Sequence, residues 1–171
     1  TEQYYRIGGQ LTAQAVPPDE HRWIETTGCT ASYRAYRNEV RDRYRNHPQI
    51  IDALKSAATF CPGGSSVSRL AHPPKLAQEL LDARLKPYLD SGAVTLCLHC
   101  APVSARRENG HLYTVTMSDG KTIEADYFID ATETGDLLAV CGAGYVTGAE
   151  SRLETGEALA PETACSADMQ T

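Results

Sequence analysis

No apolar run of the ~18 residues that a membrane-spanning helix needs occurs in the 171-residue chain, whose most apolar stretch, 137–146, is broken by two glycines. No transmembrane helix and no membrane partner are expected. The opening Thr-Glu-Gln-Tyr-Tyr-Arg lacks the basic start and apolar middle of a secretion signal, so the cytoplasm is the expected compartment. Positive charge is in deficit: 16 Lys and Arg against 22 Asp and Glu leave a net charge of −6. That balance disfavours a sequence-independent grip on nucleic-acid phosphates. Internal repeats and low-complexity tracts are lacking. Six cysteines (Cys29, Cys61, Cys97, Cys100, Cys141 and Cys165) are too sparse for a disulfide scaffold and read as reduced thiols. Only Cys97 and Cys100 have metal-like spacing. In a strand, residues three apart point to opposite faces, and no second Cys or His pair completes a four-ligand set, so no metal is expected. What remains is ordinary, with 42% apolar and 22% charged residues, and such a chain can bury its own core.

Tyr33, Tyr36, Val40 and Tyr44 recur at spacings of three and four, which predicts an amphipathic helix whose Arg34, Arg37, Arg41 and Arg43 lie on solvated faces. A second helical pattern follows Pro48, with Ile50, Ile51 and Leu54 inward, and fades into the turn-forming residues 60–66. From Pro74 to Leu89, leucines at 76, 80, 81, 85 and 89 predict a longer helix with proline in its first turn, stopped at Ser91-Gly92. Residues 94–98 then read as a short buried strand. Asn109-Gly110 and Asp119-Gly120 separate three alternating segments, 103–107, 112–117 and 122–129, and predict an antiparallel meander. A short helix is expected at 135–140, and little regular structure beyond Gly148.

Three stretches bear on chemistry. Gly8-Gly9, followed by Gln10-Leu11-Thr12, offers bare backbone that a phosphate or flat ring can approach, although the dipeptide alone equally describes a tight turn. Ala131-Thr132 stands at the carboxyl end of a strand, where open α/β sheets bind ligands, and Gly135-Asp136 opens the next helix, with Asp136 its expected cap. Between strand and meander, Pro102 and Val103 can lend main-chain groups to a ligand.

In this order and spacing the stretches resemble the FAD-dependent oxidoreductases of the glutathione-reductase-like class. More narrowly, they are similar to chains that read Gly-Gly-Gln-Leu-Thr after the first βαβ unit and Asp-Ala-Thr-Glu-x-Gly-Asp-Leu-Leu after the meander, here residues 8–12 and 130–138. The resemblance implies FAD as cofactor. Glu2 would hold the adenosine ribose, Gly8 and Gly9 would lie along the pyrophosphate and ribityl chain, and Gln10, Leu11 and Thr12 would approach the flavin. Pro102 and Val103 would contact adenine, while Ala131, Thr132 and Glu133 match the second FAD motif, with Glu133 where the wider class carries glycine. A Gly-x-Gly-x-x-Gly fingerprint belongs roughly 20 residues before the ribose acid, and only Thr1 precedes Glu2.

The sequence is thus expected to be an internal segment, 1–171, of an FAD-binding domain of α/β class, Rossmann-like in part, with an inserted antiparallel meander and helices. Its divisions are a Gly-Gly loop region (1–30), a helical part (31–92), a strand, meander and second FAD motif (93–148) and an irregular tail (149–171). The expected reaction is hydride transfer from a small organic substrate to flavin, with the isolated segment inactive. His21 is a candidate general base, although Pro17-Pro18-Asp19 reads as a helix start with Asp19 as cap. Arg69 is a candidate clamp for a substrate carboxylate. A non-catalytic nucleotide-binding or protein-interaction domain is the alternative, and a thiol or zinc centre at Cys97 and Cys100 a third.

Overall fold

The computed structural model describes residues 1–50 and 52–165; Ile51 and the end of the tail, 166–171, lie outside the described residues. The chain divides into two compact units, Thr1–Ala101 and the part from Pro102 onward.

The described residues of the first unit form four helices: α1 (Gln10–Ala13), α2 (Ala31–Arg45), α3 (Asp52–Lys55) and α4 (Pro74–Asp90). Helix α2 begins where the Thr30 hydroxyl accepts the Tyr33 amide at 3.2 Å, satisfying a donor that the first turn cannot. Pro74 opens α4, where its missing N–H costs nothing, and Gly92 at φ +73 turns the chain out after it. These helices bury the expected stripe. Tyr36, Val40, Leu70, Ala77 and Leu80 form the core, with Leu11, Tyr33, Tyr44 and Leu76 packed against it. Each Val or Leu so enclosed contributes about 1.5–3 kcal/mol.

Three expectations about secondary structure fail in this unit. The helix after Pro48 is the single turn α3, and its Leu54 is exposed rather than inward. No helix follows Asp19, so it caps none. Residues 94–98 form no strand, and Val94 and Leu98 are exposed. A buried strand of this kind needs ladder partners along its edges. The backbone groups of Cys97, His99 and Cys100 bond to those of Glu2 and Tyr4, which lie outside any strand, while Val94 donates back to Tyr88.

The second unit holds the meander, β1 (Pro102–Glu108), β2 (His111–Met117) and β3 (Thr122–Glu124), antiparallel in that order. Asn109 and Gly110 both take positive φ, +51 and +82, which matches the right-handed twist of the strands they join. Val115 and Met117, two apart on β2, are buried on one face. Strand β3 stops at Glu124, although the apolar pattern runs to Ile129. Thr114 pairs with Glu124, so β2 has only residues 111–113 left to offer, and 128–129 have no partner there. Tyr127 and Ile129 are accordingly 88% and 87% exposed. Helix α5 (Asp136–Val140) follows as expected. Beyond Gly148 there is more local structure than the composition suggests. Helix α6 (Arg152–Thr155) is fixed by a capping box between Ser151 and Glu154, and Ala149 bridges Cys165.

The described residues thus mix helices with an antiparallel sheet, compatible with α/β class, and form no parallel ladder. None of their helices is long and apolar enough to cross a membrane.

Candidate cofactor site

In the first unit, the residues implied for the ribose, pyrophosphate and flavin lie on one continuous stretch. Its start is pinned by backbone bonds, with the Glu2 amide donating to the Cys97 carbonyl (2.8 Å) and the Glu2 carbonyl accepting the Cys100 amide (2.9 Å). The half-buried Glu2 carboxylate accepts the Tyr4 amide through Oε1 at 2.9 Å, and Oε2 has no protein hydrogen bond among the described residues. Further on, Gly8 (φ +110) and Gly9 (φ +51) swing the chain into α1. A Cβ on Gly8 would sit 2.6 Å from Leu81 Cδ1 and 2.7 Å from Thr12 Cγ2. Glycine at position 8 is therefore demanded by packing against α4 as much as by the turn. Gln10 is exposed and Leu11 packs on the core. Thr12 turns inward, its hydroxyl donating to the Ile7 carbonyl at 2.6 Å, and its own carbonyl accepts Arg6 Nη1 at 3.1 Å.

In the second unit, Pro102 and Val103 begin β1, with Val103 exposed and Pro102 opposite Met117. Ala131, Thr132 and Glu133 follow the meander, and their neighbour Asp130 organises the turn. One Asp130 oxygen accepts the Thr132 amide (2.9 Å) and hydroxyl (2.7 Å), while the other accepts the Leu137 and Leu138 amides (3.1 and 3.3 Å). Thr132 Oγ1 in turn accepts the Asp136 amide at 2.8 Å. Asp130 and Thr132 cap α5, correcting the expectation that Asp136 does so; the Asp136 carboxylate instead accepts the Thr134 hydroxyl. These bonds, the one from the Thr132 amide foremost, hold the Asp130 carboxyl below the usual carboxylate range.

His21 is exposed, and both ring nitrogens serve its own loop: Nδ1 accepts the Trp23 amide at 3.2 Å and Nε2 lies 3.4 Å from the Gly28 carbonyl. Arg69 is exposed.

The largest correction concerns α2. Arg37 and Arg41, expected on solvated faces, are 0% and 2% exposed. Arg41 grips Glu25 through Nη1 and Nη2 at 3.0 and 2.6 Å and donates from Nε to the Phe60 carbonyl at 3.0 Å. Arg37 bonds Glu25 at 2.5 Å and also Glu20, which accepts the Tyr33 hydroxyl at 2.7 Å. A planar guanidinium suits such shared, bidentate pairing. Burial, with Arg41 adding to it, pushes Arg37 down to about 10, which leaves it charged at neutral pH. Burial raises Tyr33 to about 12, with Tyr36 and Cys29 adding. Beside it, the Tyr36 hydroxyl meets His72 Nε2 at 2.6 Å and His72 Nδ1 faces the Leu70 carbonyl at 2.6 Å. Since a carbonyl only accepts, Nδ1 carries the proton and Tyr36 donates to Nε2. A sequence signal existed: Arg37 and Arg41 are four apart, one step behind Tyr36 and Val40 and on the flank of the same stripe.

A family model described as FAD dependent oxidoreductase matches residues 1–171, and the chain belongs to that family. Searches of curated proteins and of solved structures returned no match. FAD is the family's cofactor and redox chemistry its general function. The Glu2–Gly9 stretch fits that group chemically, with a carboxylate oxygen for ribose hydroxyls and glycine backbone for close approach. The amides opening α5 are already taken by Asp130 and Thr132, so that turn would meet a ligand through its outer edge, where Ala131 and Glu133 are exposed.

Proposed function

We propose that this chain is an internal segment of an FAD-dependent oxidoreductase whose bound flavin accepts a hydride from a small organic substrate. The observation that carries the reading is the family match over residues 1–171. Glu2 holds the ribose hydroxyls, Gly8 and Gly9 run along the pyrophosphate and ribityl chain, and Gln10, Leu11 and Thr12 lie toward the flavin. Thr12 acts through its backbone, because its hydroxyl is committed to Ile7. The backbone of Pro102 and Val103 meets adenine, and Ala131, Thr132 and Glu133 form the second FAD contact. In this reading residues 1–30 and 31–92 supply loop and helical parts of a Rossmann-like domain, 93–148 its strand, meander and second motif, and 149–171 an outgoing tail; the protein works in the cytoplasm. His21 has no assigned role, as its nitrogens already organise a loop.

No Gly-x-Gly-x-x-Gly occurs among the 171 residues, so this chain alone binds FAD weakly and does not turn over. The test is the visible spectrum of the protein expressed from its whole reading frame beside that of this chain. The first is expected to show flavin absorbance and the second none. Glu2→Ala in the first should weaken FAD roughly 10- to 100-fold, as expected for lost hydrogen bonds to a charged group, with circular dichroism unchanged. A colourless whole protein would favour a non-catalytic nucleotide-binding or interaction domain.

A further inference from the structure

Most arginines of the first unit are matched by acids. Arg34, Arg37, Arg41, Arg43, Arg45 and Arg84 each come within ion-pair distance of a carboxylate, and of those that do not, Arg22 and Arg69 are exposed. Arg6 is different, because it is half-buried and its partners are neutral. Its Nη1 donates to the Thr12 carbonyl at 3.1 Å and its Nη2 to the Tyr5 hydroxyl, with the guanidinium carbon 4.3 Å from the centre of the Tyr5 ring. A guanidinium carries five N–H donors in a fixed fork, and two are used here. The charge is thus partly withdrawn from water, has donors to spare and meets no acid among the described residues. Withdrawing a charge from water is costly unless a group of opposite sign completes it.

The surroundings of Arg6 identify that group. Thr12, to which Arg6 is tied, closes the glycine turn, its hydroxyl donating to the Ile7 carbonyl at 2.6 Å and its amide to the Gly9 carbonyl at 3.1 Å. Arg6 therefore spans the turn from one end to the other. Inside it the Gly8 and Gly9 amides have no hydrogen-bond partner among the described residues. Arg6 is also the only Lys or Arg in residues 1–21, which carry three acids, Glu2, Asp19 and Glu20. Bare amides beside one lodged guanidinium suit an anion with several acceptor oxygens, and the planar fork pairs bidentately with phosphate.

We infer that Arg6 supplies the counter-charge for the pyrophosphate of FAD, with its guanidinium held in place by the Thr12 carbonyl and the Tyr5 ring. The assignment rests on the proposed function, which runs Gly8 and Gly9 along that group. Arg6 binds and orients the cofactor and moves no proton. The rival role is a tie that only steadies the loop. The two differ in their response to salt, since screening weakens a charge pair and leaves a neutral tie to a carbonyl unaffected.

The protein expressed from its whole reading frame is stripped of flavin, and FAD is titrated back with flavin fluorescence as the readout. The titration is run at about 0.1 M and about 1 M potassium chloride, between which the screening length falls from about 10 to about 3 Å. Arg6→Gln removes the charge and keeps an amide donor. It should weaken FAD roughly 10- to 100-fold at the lower salt, as for lost bonds to a charged group, and the deficit should shrink at the higher salt. Arg6→Lys keeps a point charge for phosphate and should stay within about fivefold of the parent. Circular dichroism of both flavin-free variants should match the parent. Parent-like affinity in Arg6→Gln, a deficit equal at both salts, or an Arg6→Lys as weak as Arg6→Gln overturns the assignment while the parent still binds FAD. A parent that takes up no FAD overturns the proposed function and this inference with it.

Discussion

The unit Thr1–Ala101 encloses two arginines and the carboxylates that hold them, whereas the unit from Pro102 buries Val115 and Met117 and leaves Leu153 and Leu159 at 93% and 99% exposure. Residue type alone inverts this picture. Charge goes inside when partners reach it from another segment, as Glu20 and Glu25 do, and hydrocarbon stays outside when no neighbour covers it.

The largest effect that can break the contrast is Glu25→Ala, which strips an acceptor from both Arg37 and Arg41. Removing one partner from a buried pair costs about 3–5 kcal/mol, and urea unfolding should show a fall of that size. A loss under about 1 kcal/mol would place the network in solvent exchange. Gly8→Ala forces a side chain into Leu81 and Thr12 at positive φ, for an expected loss of about 1–3 kcal/mol in the same assay.

In the second unit, Asp130→Ala removes four hydrogen bonds at the entry to α5 and should cost about 1 kcal/mol, read as faster hydrogen exchange at Leu137 and Leu138. The folded carboxyl lies below its ordinary value. Its contribution is therefore complete above the unfolded pKa of about 3.9 and is lost as pH falls through the folded one. The variant should show no such pH step. For His72, burial lowers the folded pKa, so stability is full above about 6.5 and declines as pH falls from there toward the folded value. His72→Gln should flatten that decline in unfolding measured between pH 7.5 and 5.5. The smallest effect is Ile129→Thr, within about 0.5 kcal/mol of the parent. A larger loss would mean that Ile129 is covered, closing the contrast from the other side.

Much of the secondary structure was legible because it depends on neighbours in sequence. The tyrosine stripe of α2, the leucines of α4 and the two Gly-containing turns of the meander are local signals. Residues 94–98 and 125–129 misled because an apolar run states only that a strand would be stable if paired, and the pairing comes from elsewhere. Arg37 and Arg41 were misread for a related reason: their partners lie 12 to 17 positions away in a loop without periodicity. For the candidate site, motif order pointed to the family, while the local geometry showed how Asp130 rather than Asp136 closes the second turn.

The left-handed residues at 109 and 110 have a kinetic consequence. A hairpin closed by two residues forms on the order of 1–10 μs, because almost no chain must be ordered before its first cross-strand contact. The helical core joins Leu11, Val40, Leu70 and Leu80, residues far apart in the chain, and such distant contacts slow assembly. The meander should thus be in place while the buried arginines are still searching for their acids.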